Sequence, residues 1–227
     1  MNDDITKIAL VGHAGVGKDL AWAMIRVMTK CKFTVIDSIY TSTLQQIEAN
    51  PYWSCGCNLA YECFAKPLKA FIASTLGYNL QDLHNNAFKQ KHFVEFAGSS
   101  IRNVHLDVSD VLKKLYGEDF FVNSLLYRLD NCHNEALICV GDCRYPNEAT
   151  ALRSRGFKLI KIVNDDVMQN INHSSEQHID ELFVDAVVMN GGGQSYEQLW
   201  SALLDVMQEL GINTEQDTEM LSKLKFL

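Results

Sequence analysis

The sequence predicts an α/β fold, a mostly parallel sheet of about five strands flanked on both faces by helices. Three observations carry this expectation. Short apolar runs recur along the chain, as buried strands require. Between them lie longer segments whose apolar residues fall at three-to-four spacing. A glycine-rich stretch, Gly12 to Asp19 (GHAGVGKD), follows the first apolar run and leads into the first helical pattern.

The elements follow in order. Residues 7–11 (KIALV) read as a buried strand ending at Gly12. Leu20, Ala23, Met24, Val27 and Met28 then recur at helical spacing. Residues 31–60 carry mixed signals: FTVI reads as a strand, TSTLQQIEAN has helical character before Pro51, and PYWSCGCN looks like a loop. YECFA reads as a strand ending at Lys66-Pro67, and LKAFIASTLG as a helix stopped by Gly77. The stretch 79–130 reads as mainly helical, with HFVEFAGSSIRNV, VSDVLKKLYG and DFFVNSLLYRLD as its apolar-periodic pieces. ALICVGD (136–142) is a buried strand. PNEATALRSRG is a helix with Pro146 near its start and Gly156 near its end. KLIKIV (158–163) and VDAVVM (184–189) are further strands, and SYEQLWSALLDVMQELG is an amphipathic helix. The expected organisation is one domain over 1–227, with its core at about 7–210, a helical region at 66–130 and a tail at 211–227.

Composition narrows the function classes. The chain has 227 residues, 47% of them apolar and 21% charged, as a globular protein has. Its formal net charge is −8, with no basic stripe, so a nucleic-acid partner is not expected; polyanion binding needs clustered Lys and Arg. A small phosphorylated ligand needs only a few cations and backbone N–H groups. MNDDITK is acidic and lacks an apolar h-region, so a signal peptide is not expected. No run approaches the roughly 18 apolar residues of a membrane span. Seven unpatterned cysteines read as reduced thiols, and the expected location is the cytoplasm. Cys55, Cys57 and Cys63 cluster, with His84 or His92 as a further candidate ligand, but C-x-C without a second pair fits buried thiols better than structural zinc.

The stretch GHAGVGKD spells G-x-x-x-x-G-K, the pattern of a loop that cradles nucleotide phosphates. Gly12 and Gly17 permit close backbone approaches, and the N–H groups of Gly12, His13, Ala14, Gly15, Val16, Gly17, Lys18 and Asp19 supply donors at a helix N-terminus. Lys18 would reach the β and γ phosphates. The residue after the lysine usually donates a hydroxyl to Mg²⁺; Asp19 offers a carboxylate, a hard-oxygen ligand suited to the same ion. The competing reading is a glycine-rich turn ending in an ordinary Asp N-cap. A second constellation, VGDCRYPNE, places Asp142 after a buried strand, where a Mg²⁺-linked acid is expected, and Arg144 two residues on, able to grip a phosphate bidentately. A turn with a solvated salt bridge is the alternative. Lys69, Arg102, Arg153 and Arg155 lie near predicted turns or helix starts; phosphoryl transfer needs several cations, yet each alone is more often a surface charge.

Together these segments resemble the phage-type deoxynucleoside monophosphate kinases, a branch of the P-loop NMP kinases, over about residues 7–210. GHAGVGKD is similar to that family's phosphate loop, in which Asp after Lys is common. FAKPLKAFI is similar to its FA-x-P-L-K segment, which helps form the monophosphate site. EFAGSSIRNV is similar to its GT-x-x-x-R segment, with Ser99 for Thr and Arg102 as the arginine. GEDFFVNSLL matches a segment that usually has Trp where Phe120 or Phe121 stands. GDCRYPNEA is close to its D-x-R-x-x-x-E, giving Asp142, Arg144 and Glu148. HSSEQHID and DAVVMNGG are similar to its C-terminal segments. Leu20 departs from the usual Thr, and 31–60 matches nothing in the family.

The resemblance implies a three-layer P-loop NTPase fold with helical NMP-binding and lid segments. It implies transfer of the ATP γ-phosphoryl group to a (deoxy)nucleoside 5′-monophosphate, with ATP and Mg²⁺ as cofactors. Lys18, Asp142 and Arg144 would be catalytic, and Asp19 with Asp142 would place the metal. Lys69, Arg102, Phe120, Arg144, Glu148 and Arg153 would contact substrate, with Arg153 and Arg155 as lid candidates. A homodimer is compatible with it, and a phage-encoded chain would work in the host cytoplasm. Two other readings stay open: a small P-loop kinase acting on a coenzyme precursor or sugar, and a nucleotide-binding protein without catalysis.

Overall fold

The structure, a computed structural model, describes residues 5–29, 59–78, 83, 86–131, 137–167 and 177–214. The expectations for FTVI, TSTLQQIEAN and PYWSCGCN, with Cys55, Cys57 and His84, lie outside the described residues, as does most of the tail.

The chain divides into two compact units, residues 1–62 with 133–227 and residues 63–132. In chain order, the first unit begins with β1 (Thr6–Val11), α1 (Lys18–Met28) and β2 (Leu59–Glu62). The second holds α2 (Lys66–Leu76), the short α3 (Asn86–Lys89), a 3-10 turn at Val94–Phe96, α4 (Ile101–Tyr116) and α5 (Phe120–Asn131). The first then resumes with β3 (Leu137–Cys143), α6 (Pro146–Ser154), β4 (Lys158–Val163), a 3-10 turn at Ile179–Glu181, β5 (Ala186–Met189) and α7 (Tyr196–Glu209).

The five strands form one all-parallel sheet in the order β2-β3-β1-β4-β5. Parallel strands buried on both faces carry mainly apolar side chains, and the central stretches of β1, β3 and β4 do so. Ile8, Leu10, Leu137, Cys139, Ile160 and Ile162 form one core with Trp22 and Ile25 of α1 and Leu199, Trp200 and Leu203 of α7. Their neighbours along the strands, Ala9, Val11, Ile138, Val140 and Leu159, are also buried, and successive strand residues point to opposite faces. The sheet is therefore enclosed on both sides.

The chain leaves β1 towards β2 on one side and leaves β3 towards β4 on the other. The carboxyl ends of the adjacent strands β1 and β3 thus border a topological switch point, where open parallel sheets leave a ligand crevice. One register step is irregular there. Ala9 pairs with Val140, but Val11 pairs with Cys143, so β3 carries an extra residue opposite the end of β1. Such a bulge bends the strand and re-aims its side chains, here beside Gly141 and Asp142.

Some local expectations change, and the strand expected over 184–189 is confined to Ala186–Met189. The strand expected over YECFA is Leu59–Glu62, because its pairing with β3 ends at Glu62 opposite Val140 and Phe64-Ala65 turn into α2. The helical reading of HFVEFAGSSIRNV gives way to a His92–Ser100 bridge, a 3-10 turn and a helix start at Ile101. Ala97 and Gly98 both adopt positive φ, which ends the turn, and Ser100 then caps α4 by accepting from the Asn103 N–H at 3.2 Å.

Candidate functional site

The glycine loop joins β1 to α1 in the middle of the sheet. Gly12 (φ 149°) lies so close to β4 that a Cβ there would sit 2.5 Å from the Ile162 carbonyl oxygen. Gly17 (φ 94°) ends the loop as the N-cap residue of α1, in a conformation L side chains avoid. Its missing side chain leaves room for Asn190, whose Nδ2 occupies the space a Cβ would need. That amide donates to the Val16 carbonyl at 2.8 Å, and the Asn190 N–H donates to the Val163 carbonyl at 2.7 Å. Asn190 therefore ties the loop to the end of β5.

Lys18 folds back over the loop. Its Nζ donates to the carbonyls of Gly12 and His13, both at 2.7 Å. These bonds hold the ammonium at the mouth of the loop. The buried His13 lies with its Nε2 3.4 Å from Asp180 Oδ2, while Lys161 Nζ contacts Asp180 Oδ1 at 2.7 Å. The hydrogen bond from Lys161 and the field of the same lysine hold the Asp180 carboxyl below its ordinary range, and His13 acts in the same direction. Asp180 thus bridges the loop to β4. Ala14 and Gly15, at the loop's tip, are exposed.

Asp19 occupies the first turn of α1 and is exposed. The Tyr61 hydroxyl, at the end of β2, lies 3.5 Å from Asp19 Oδ1. The same hydroxyl occupies the space a side chain at Gly141 would fill, and the ring leans on Trp22 of α1 with centroids 5.6 Å apart. Asp142 follows Gly141 at the bulge of β3 and is half-buried. Burial raises the Cys139 thiol well above its ordinary value, and the charges of Asp19 and Asp142 both add to that rise. The two carboxylates therefore share one electrostatic neighbourhood at the carboxyl edge of the sheet. Cys143 is likewise pushed up, first by burial and then by Glu148 and Asp142. Both are buried thiols, unfavourable as thiolates.

Arg144 is half-buried just past β3. Glu148 is buried, and its Oε2 accepts from the backbone N–H groups of Arg144 (2.8 Å) and Tyr145 (3.1 Å). It satisfies the opening of α6, a capping task that the sequence motif did not disclose. Arg153 meets Asp185, Nη1 to Oδ1 at 3.3 Å and Nη2 to Oδ2 at 3.1 Å, donates to the Phe183 carbonyl at 3.0 Å and lies over the Phe183 ring. Asp185 in turn accepts from the Leu159 N–H at 2.7 Å. These contacts give Arg153 a role in joining α6 to the entry of β5.

The other substrate candidates belong to the second unit. Lys69 lies half-buried on α2, its Nζ 3.8 Å from Cys63 Sγ. Arg102 is exposed in the first turn of α4. Phe120 opens α5 and stacks obliquely on Tyr116, with Phe121 edge-on to it.

Among the described residues no group of three or more His, Cys, Asp and Glu side chains converges as a metal cage. Mg²⁺ does not require one: it is commonly held by one or two carboxylates, with waters and substrate phosphates completing its shell. An exposed Asp19 and a half-buried Asp142 in one neighbourhood fit that ion and do not fit a four-ligand zinc site. No helix among the described residues is long and apolar enough to cross a membrane.

The fold and this edge define an α/β protein with a five-stranded parallel sheet and a glycine-rich loop between its central strand and first helix. No known family model matches the chain, and no curated protein matches it either.

Proposed function

We propose that the chain is an ATP-dependent phosphotransferase that converts (deoxy)nucleoside 5′-monophosphates to diphosphates. The observation that carries this reading is the assembly at the switch point: a glycine loop with Lys18 at its mouth, and Asp19 and Asp142 in one neighbourhood. The ordered segment resemblance given above supplies the acceptor class.

In this reading the loop N–H groups and Lys18 bind the donor's phosphate oxygens, aided by the positive end of α1. Asp19 and Asp142 would hold Mg²⁺, which neutralises phosphate charge when bound. Tyr61 orients Asp19, and Asn190 and Asp180 hold the loop in shape. Arg144, just past β3, offers a bidentate grip on the charge that spreads over the transferring oxygens. The bond from the γ-phosphorus to its bridging oxygen breaks, the electron pair leaves with ADP, and an acceptor phosphate oxygen forms the new bond. That oxygen is already anionic, so no general base is required.

The test is to incubate the protein with Mg-ATP and each of dAMP, dGMP, dCMP, dTMP and a modified pyrimidine monophosphate, measuring ADP and diphosphate. Transfer to at least one, abolished in Lys18→Ala while the fold persists, supports the reading. ATP binding without consumption of any monophosphate, or wild-type turnover no faster than Lys18→Ala, overturns it.

A further inference from the structure

The longest described helix of the second unit carries an apolar seam that the unit covers only in part. Along α4, Ile101, Val104, Val108, Val111 and Leu115 fall at alternating spacings of three and four. That is the repeat by which one helix packs lengthwise on another. Ile101 and Val104 are buried, and Val108 is half-buried. Val111 is then 54% exposed, Leu115 66% and Tyr116, next to it in sequence, 68%. Apolar residues scattered singly over a surface are ordinary. Here they are successive members of one seam, which runs from the core of the unit out into solvent.

The charges beside the exposed part of the seam are sorted along the helix. Asp107 and Asp110 come first, and Lys113 and Lys114 follow. Asp107, Asp110 and Lys114 are exposed, and Lys113 is half-buried. His105 adds no charge at neutral pH, because burial first, then the fields of Lys69 and Lys89, lower its pKa to about 4. Acids early and bases late also suit the macrodipole of a lone helix, but that effect is confined to the first and last turns, and both aspartates lie in the middle ones. Asp110 and Lys114 are spaced for a pair within the helix, which accounts for neither Asp107 nor the bare apolar residues.

We propose that α4 is a self-association surface, through which two copies of this chain pair antiparallel about a two-fold axis near Val111 and Leu112. The charges select a second copy in this orientation. Turned antiparallel, the acidic half of one helix lies along the basic half of the other, on both sides of the axis. A parallel copy sets aspartate beside aspartate and lysine beside lysine. In the antiparallel pair, Val108 of each copy lies near Leu115 of the other, so the surface is complementary to itself, as a two-fold interface must be. The stretch from Val108 to Tyr116 is about 12 Å long. It falls short of the roughly 800 Å² per partner of a standard interface, so a weak, reversible dimer is expected, with a dissociation constant in the micromolar range.

Sedimentation velocity of the full chain over a concentration series tests this. Wild type is expected to shift reversibly from monomer to dimer. Val111→Glu sets like charges at the axis and should leave only monomer; the position is exposed, so the fold should persist, and circular dichroism checks that it does. Two charge variants test the pairing. Asp107→Lys with Asp110→Lys makes the stretch wholly basic, and Lys114→Glu makes it mainly acidic. Each alone should associate about tenfold more weakly than wild type. An equimolar mixture should recover a dimer holding one of each, followed by a fluorophore on one variant, and added salt should weaken it. A wild-type chain that stays monomeric throughout the series overturns the proposal, whatever else α4 is found to bind. So does a dimer that Val111→Glu leaves intact, since it must use another face. Charge variants that self-associate as well as wild type, or that fail to pair when mixed, overturn the antiparallel arrangement. No nucleotide is needed, so this outcome is separate from that of the phosphotransfer assay.

Discussion

Replacing Gly17 by alanine tests how the loop is held. Two costs are expected. The residue has φ 94° and ψ 25°, a left-handed conformation that costs an L side chain about 1–2 kcal/mol. The new methyl also claims the space of Asn190 Nδ2, so that side chain must swing away and release its 2.8 Å bond to the Val16 carbonyl. A half-buried amide–carbonyl bond contributes about 1 kcal/mol net, and more if the carbonyl stays dry. The sum is about 2–3 kcal/mol for Gly17→Ala. Asn190→Ala alone removes the bond and leaves the backbone relaxed, for about 1 kcal/mol. The double variant should then lose little more than Gly17→Ala, because the same bond is lost in both singles. A coupling of about 1 kcal/mol follows, outside the roughly 0.5 kcal/mol within which independent sites add. Urea denaturation of the four proteins, followed by fluorescence of Trp22 and Trp200 in this unit, measures the cycle. Strict additivity, or a neutral Gly17→Ala, refutes the account of Asn190 as the clamp. On the proposed phosphotransferase reading, nucleotide affinity should follow the same order, with Gly17→Ala the weakest single variant.

Other expectations follow from the same structure. Gly141→Ala should displace Tyr61 from β3 and lower stability by about 2 kcal/mol, while Tyr61→Ala should restore space for it; a Gly141→Ala protein as stable as wild type refutes the packing argument. His105 has a folded pKa of about 4 against 6.5 unfolded, so the unfolded state binds more protons between those values and stability falls as pH drops through that window. The loss from pH 7 to pH 5 should be about 2 kcal/mol greater in wild type than in His105→Asn, read from denaturation midpoints by circular dichroism; parallel profiles refute it. The Asp180 pKa is depressed, so its contribution is present above the ordinary carboxyl range and vanishes as pH falls through the folded value. Because that carboxylate is largely exposed, Asp180→Asn should cost less than about 1 kcal/mol, and only above that pH; an equal cost at acid pH points to packing instead of charge.

Much of the sheet was legible because its signal is local. KLIKIV is a strand at the residues expected, β1 starts one residue before KIALV, and β3 runs one residue past ALICVGD, to Cys143. Their burial on both faces writes itself into short, mainly apolar runs. The glycine loop was legible for the same reason, since its pattern occupies one contiguous stretch. What holds the loop was not. Asn190 lies 174 positions from Val16, and Asp180 lies 167 from His13; nothing in either neighbourhood signals a partner so distant. Tyr61 reads as an ordinary strand residue until the bulge in β3 brings Gly141 beneath it. A glycine inside a strand run was the available hint, since such a residue often marks a bulge or a close approach. Glu148 shows the converse. Its place in a motif suggested ligand contact, but its spacing from Tyr145 is also that of a helix cap, and a cap is what the geometry displays.

The order of the sheet also has a temporal side. β1 precedes both of its described neighbours in the chain, residues 137–143 on one side and 158–163 on the other. The central strand must therefore wait while the residues up to 136 emerge, including all of the compact unit 63–132. Loop closure over such separations is slow, and a bare apolar strand is a hazard while it lasts. The helical unit can gather itself meanwhile. The glycine loop, which leans on the Ile162 carbonyl at one end and on Asn190 at the other, takes its shape only when β4 and β5 have been added. In a nascent chain, the loop should accordingly be among the last features to take shape.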